Sequence, residues 1–172
     1  YNLPFVRRLL PGMPVVLVTL AYRRIGLITP PGNPAKLVSL QDLTRADLRF
    51  VNRNPGSGTR VWLDAQLKQL DIDPGEINGY TLEKATHSEV AQAVAEGTAD
   101  VGLGIEASAL AFGLDFSMLT TEAYDLVIPA ERWQLPAIQA LVNWLQSPQA
   151  RTAITRLGGY DTTATGQITR LS

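Results

Sequence analysis

The stretch FVNRNPGSGTRVWLDAQL, Phe50 to Leu67, carries the decision about the fold. A short apolar run ends at Val51, a glycine-rich corner follows, and an amphipathic run opens at Thr59 with Leu63, Leu67 and Leu70 on one predicted face. Strand, tight corner and helix form the repeating half of an α/β fold. The same corner has the makings of an oxyanion site. Its glycines let backbone approach a ligand closely. The first-turn amides of Gly58, Thr59 and Arg60 lack intrahelical acceptors, and the positive end of the helix dipole favours an anion. Ser57 and Thr59 add hydroxyls, while Arg53 and Arg60 offer charge-assisted bonds. Plainer roles are equally open: Ser57 as a helix N-cap, and Arg60 as the partner of Asp64 one turn on. No Gly-Lys-Ser/Thr follows, so this is not a Walker loop. Ser57 sits in Pro-Gly-Ser-Gly, which is not a nucleophile elbow.

Outward from the corner, strand and helix signals alternate. VVLVTL (Val15–Leu20) and RIGLIT (Arg24–Thr29) read as two buried strands, and PPGNPAK (Pro30–Lys36) as a turn. Ser39 is placed to cap a short helix, LQDLTRADL, before a strand over Leu48–Val51. Downstream lie a short strand at Tyr80–Glu83, a helix from His87 to Ala95, and the strand ADVGLG, Ala99–Gly104. A helix over Ile105–Phe112 precedes two further strands, FSML and YDLVIP. Pro136 opens a helix reaching Gln146, and Ser147-Pro148 starts a last one that Gly158-Gly159 ends. The class is therefore α/β, with mostly parallel pairing expected.

Composition narrows the function. In 172 residues, 45% hydrophobic and 18% charged describe a globular chain and not a disordered one. Fifteen Lys and Arg against 16 Asp and Glu leave no basic excess for nucleic acid. One His and no Cys exclude disulfides, thiolate zinc sites and cysteine nucleophiles, and make a metal site improbable. No cofactor is implied. The apolar run Met13–Tyr22 is too short to span a bilayer, so no membrane partner is expected. The opening YNLPFVRRLLPG has no Met and no signal-peptide pattern, and reads as part of a longer, cytoplasmic polypeptide.

In order along the chain come RFVNRNPGSGTR, Gly79-Tyr80, THSEVAQAVAEGTADVGLG (Thr86–Gly104), LDF (Leu114–Phe116) and YDLVIP (Tyr124–Pro129). Together they resemble the periplasmic-binding-protein-like domain of the molybdate/tungstate-binding type, as fused to helix-turn-helix regulators or molybdopterin-biosynthesis proteins. The resemblance implies a type II fold: two α/β lobes joined by crossing hinge strands, with ligand in the cleft. It divides the chain into residues 34–122 as second lobe, and 1–33 with 123–172 as a first lobe truncated at its N-terminus. It implies anion contacts from Ser57, Gly58, Thr59 and Arg60, with Arg53 nearby.

Two further positions join the candidates. His87, at the start of a helix, can donate to an oxyanion or bond a carboxylate such as Glu83 or Glu89. Tyr124, on the returning hinge strand, can touch ligand or pack its ring on the sheet. A Ser57–His87–Asp100 hydrolytic triad is disfavoured, because Asp100 suits bonding to backbone amides at a strand start, so no enzyme activity is expected. The partner implied is a small anion, molybdate or tungstate, sensed for a larger regulatory or molybdenum-cofactor-related protein. The alternatives are the solute-binding component of an ABC transporter, or a domain fused to a molybdopterin-biosynthesis enzyme. Apolar surface left by a partial first lobe predicts a homo-oligomer.

Overall fold

The computed structural model describes residues 2–171; Tyr1 and Ser172, the outer limits of the predicted first lobe, lie outside the described residues. The chain forms two compact units, Tyr1–Arg23 with Thr121–Ser172, and Arg24–Thr120.

The continuous unit is built on a mixed sheet. Its strands are β2 (Phe50–Arg53), β3 (Glu83–Lys84), β4 (Val101–Ile105) and the second half of β1 (Val15–Thr29). β2 runs parallel to β3 and to β4, with Asn52 opposite Glu83 and Phe50 opposite Val101. β1 runs antiparallel to β4, with Ile25 opposite Ile105. VGLGI is buried at every position, as a strand covered on both faces requires. Helix α3 (His87–Ala95) turns Val90, Ala91, Ala93 and Val94 onto Ile28, Val51 and Leu114. Gly102 permits that closeness: a Cβ there would lie 2.4 Å from a Val90 methyl. Helix α2 (Gly58–Gln69) buries Leu63 and Leu67, whereas Leu70, at its C-cap, is exposed. The short α4 (Glu106–Ala111) follows β4 directly.

The discontinuous unit carries α1 (Leu3–Leu9), the first half of β1, the second half of β5 (Asp115–Pro129), α5 (Pro136–Leu145), α6 (Pro148–Thr155), β6 (Tyr160–Asp161) and β7 (Ile168–Leu171). β1 pairs antiparallel with β7 through Val15–Val18 and with β6 through Tyr22–Arg23. Val142 and Leu145 of α5 pack with Val16, Val18, Ile128 and Trp133. Val6 of α1 packs with Val15 and Leu17.

Several expectations change. VVLVTL and RIGLIT are one strand of 15 residues, and FSML and YDLVIP are another. The intervening residues include no glycine or proline to break either. Instead Arg23 and Glu122, the charges that interrupt the apolar pattern, form an ion pair in which Glu122 is buried. Pairing is not mostly parallel, because the two long strands replace the crossovers that parallel neighbours would need. The segment after Ser39 is a single 3-10 turn, Leu40–Thr44, and Tyr80 lies in a turn before the two-residue β3.

Candidate ligand site

The corner between β2 and α2 is shaped by local hydrogen bonds. The Ser57 amide donates to Asn54 O at 3.3 Å, and Gly56 takes φ of 83°, a value favouring glycine. Ser57 caps α2 with its Oγ accepting from the Arg60 amide at 3.3 Å. That leaves the Gly58 and Thr59 amides as the first-turn donors without an intrahelical acceptor. A Cβ built on Gly56 or Gly58 would meet nothing within 4 Å, so the corner borders open space. Thr59 itself is buried.

The two arginines stand differently. Arg60 is buried, with its Nε donating to Asp64 Oδ1 at 2.9 Å and Nη1 to Glu83 Oε1 and Arg53 O, each at 3.2 Å. Its guanidinium lies 4.1 Å over the Tyr80 ring, and the Tyr80 hydroxyl donates to the same Asp64 oxygen at 2.6 Å. Burial opposes the Arg60 charge, yet the bonds to Tyr80 and Asp64 hold its pKa above the ordinary value. For Tyr80, burial and then the bond to Asp64 push the hydroxyl up. The pairing with Asp64 that the helical spacing allows is therefore present, within a larger cluster. Arg53 is half-buried, and its Nη2 donates to Ala85 O at 2.9 Å.

His87 opens α3 behind a capping box. The Glu89 amide donates to Thr86 Oγ1 at 3.1 Å, and the Thr86 amide to Glu89 Oε2 at 2.8 Å. That backbone bond holds the Glu89 carboxyl below its ordinary range. His87 is half-buried, its Nδ1 3.5 Å from the point a Cβ on Gly104 would occupy. Six of the seven candidates thus belong to the continuous unit. Tyr124 belongs to the other, exposed, with the Arg23 guanidinium 4.4 Å over its ring. Asp100 is engaged by Arg49: Oδ2 accepts from the Arg49 amide at 2.8 Å and Oδ1 from Nη2 at 2.9 Å.

Tyr80 and Glu83 were missed as parts of this cluster. The Gly79-Tyr80 pair is conspicuous in the chain, but no spacing rule shows that its turn folds back over α2. Among the described residues no group of three or more His, Cys, Asp or Glu side chains is gathered as a metal site, and no helix is long and apolar enough to cross a membrane. An open cavity of about 460 Å³ lies in the discontinuous unit, lined by Met13, Pro14, Pro129, Ala130, Glu131 and Arg132.

A mixed sheet with helices, threaded by two long strands that each contribute to both units, defines a class of binding-protein-like folds. The PBP superfamily domain model matches residues 1–146, and the chain belongs to this periplasmic-binding-protein-like superfamily. YvgK of Bacillus subtilis (strain 168) is 38% identical over 168 residues, 98% of this chain. The chain spans 54% of that protein's length. Among solved structures, a phosphate ABC-transporter-type substrate-binding protein with bound phosphate from Clostridium perfringens superposes with a TM-score of 0.60 at 15% identity, over 86% of this chain and 71% of that one. The substrate-binding domain of a molybdenum-type ABC transporter from Clostridium difficile gives 0.58 at 16% identity, over 84% and 66%. The fold is that of a type II periplasmic-binding-protein-like domain.

Proposed function

We propose that this domain binds a small tetrahedral oxyanion at the start of α2 and serves as the ligand-sensing part of a longer polypeptide. The observation that carries the reading is the open helix start itself. Ser57 fixes the first turn, the Gly58 and Thr59 amides are left without an intrahelical acceptor, and Gly56 and Gly58 border unfilled space. Oriented amides and hydroxyls can hold a dianion without a full countercharge, since several dipoles share it. Contacts come from those amides and the Ser57 hydroxyl, with Arg53 and Arg60 behind the corner. His87 supplies a second helix start in the same unit. Phosphate is the ligand named for one structural neighbour and molybdenum the element named for another, so phosphate, molybdate, tungstate and sulfate form the panel to test.

Position 58 offers a clean test. Proline suits the first helical residue, and Ser57, at φ −68° and ψ 142°, already has the conformation that precedes proline. Gly58→Pro therefore deletes one amide donor while leaving the helix intact, and Gly58→Ala keeps the donor. Calorimetry of the full-length protein against the panel is expected to show binding of at least one oxyanion. Gly58→Pro should weaken it about tenfold, the value of a hydrogen bond to a charged group, and Gly58→Ala much less. No heat from any of the four, or equal affinity in all three proteins, overturns the reading.

A further inference from the structure

Arg60 is the residue whose charge most invites a role as anion contact, yet its surroundings already answer that charge. Two carboxylates, Asp64 and Glu83, accept from it, so the cluster of three carries a net negative charge. The guanidinium is 10% exposed and stacked on Tyr80. An added anion would meet a neutralised arginine flanked by acids. What the contacts do achieve is mechanical. Arg53 O closes β2, and Arg60 is in the first turn of α2, so the bond between them joins both ends of the Asn54–Ser57 turn. Glu83 extends the tie to β3, and Asp64 to the next turn of α2.

We propose that Arg60 is the positioning residue of the corner: it touches no ligand, and holds β2, β3 and α2 so that the Ser57–Thr59 donors keep one geometry. The proposal rests on the oxyanion reading for its effect on affinity, and the geometry of the turn supplies a readout independent of any ligand. A guanidinium makes these bonds as a planar fork with a stacking face, which an ammonium cannot reproduce. Arg60→Lys keeps the charge and loses the fork.

Two measurements on the full-length protein decide it. In amide hydrogen exchange without added anion, Arg60→Lys should exchange faster over residues 54–61, with β4 and α3 unchanged. In calorimetry with whichever panel oxyanion the wild type binds, Arg60→Lys and Arg60→Met should lose affinity equally, by about tenfold. Tyr80→Leu, which removes the stacking ring, should weaken binding too, and add little on top of Arg60→Lys. Tyr80→Phe keeps the ring, loses the bond to Asp64, and should lie between Tyr80→Leu and wild type. Affinity retained by Arg60→Lys but lost by Arg60→Met would make Arg60 a direct charge contact and overturn the proposal. So would full additivity with Tyr80→Leu, or exchange at 54–61 indifferent to Arg60→Lys. If the wild type binds no oxyanion while exchange at 54–61 does accelerate, the oxyanion reading falls and the positioning role stands.

Discussion

The two units differ in how completely each encloses its own apolar side chains. In the continuous unit, Ile28, Val51, Val90, Leu103 and Leu63 are at 0% exposure, and two helices are seated by side-chain caps at Ser57 and Thr86. In the discontinuous unit, Val18 and Leu145 are equally enclosed, but Leu9, Leu135, Trp144 and Leu157 stand 46–69% exposed. Both units contain a core, and only the first has most of its large apolar residues inside it. The candidate corner belongs to that better-closed unit. A site built from backbone amides needs such a frame, because it has no long side chain to adjust its own geometry.

The comparison is broken most severely at Gly79, which seats the Asn78–Gly79 turn on β2 of the continuous unit. Its φ is 90°, and a Cβ there would lie 2.1 Å from Phe50 O, which is backbone and cannot turn aside. Gly79→Ala combines left-handed strain with a backbone clash, and should cost roughly 3 kcal/mol or more in chemical denaturation. A loss below about 1 kcal/mol would show that the turn can leave β2 freely. Next in size come matched core truncations. Leu63→Ala and Leu145→Ala each empty a fully enclosed position, one per unit, and should each cost about 2–5 kcal/mol. The sharper question is the shape of the curve. If the units unfold separately, each substitution should move its own transition and leave the other in place.

Most of the continuous unit was legible in the sequence, and the reasons are local. α3 follows from its polar positions, Glu89, Gln92 and Glu96, recurring at helical period on one face. β4 follows from an unbroken apolar run, and the β2–α2 corner from Pro-Gly-Ser-Gly. The rest depends on partners distant in the chain. Arg23 and Glu122 look like strand ends until each is seen to neutralise the other. α1, β6 and β7 carry little intrinsic signal, and their form is set by β1 and by the core beneath them. Arg60 shows the same limit at the site. Its pairing with Asp64 is a spacing rule, whereas Tyr80, Glu83 and the carbonyl of Arg53 reach it through tertiary folding.

Acid should act on the continuous unit through groups that are identifiable. Asp42 is held below the ordinary carboxylate range by the Val38 amide, then by that of Ser39, against opposing burial. Asp100 is held low first by the Arg49 side chain. A carboxyl whose folded pKa lies below its unfolded value stabilises the fold above the unfolded value, about 4, and loses that contribution as pH falls through the folded pKa. Stability measured against pH should therefore decline below about 4. Asp42→Asn should flatten part of that decline while leaving neutral pH little changed beyond its own offset. An acid limb identical in Asp42→Asn and wild type would remove Asp42 from the account. Both groups are half-buried at the surface, where solvent screens their charge, so the effect is smaller than a core truncation.

The smallest change in stability is expected at the surface of the discontinuous unit, where the consequence lies in association. Leu9 and Leu157 are 69% and 65% exposed, and replacing both with serine removes little packing. Folding stability should shift by no more than about 0.5 kcal/mol for each. The same side chains are the ones a second copy of the chain would cover, since exposed large apolar residues favour association when contiguous. Sedimentation over a range of concentrations should show the wild type self-associating and the double variant less so. A wild type that stays monomeric would mean that these residues stand singly in water, which soluble proteins tolerate. The contrast between the units would then be one of surface composition alone, with no bearing on assembly.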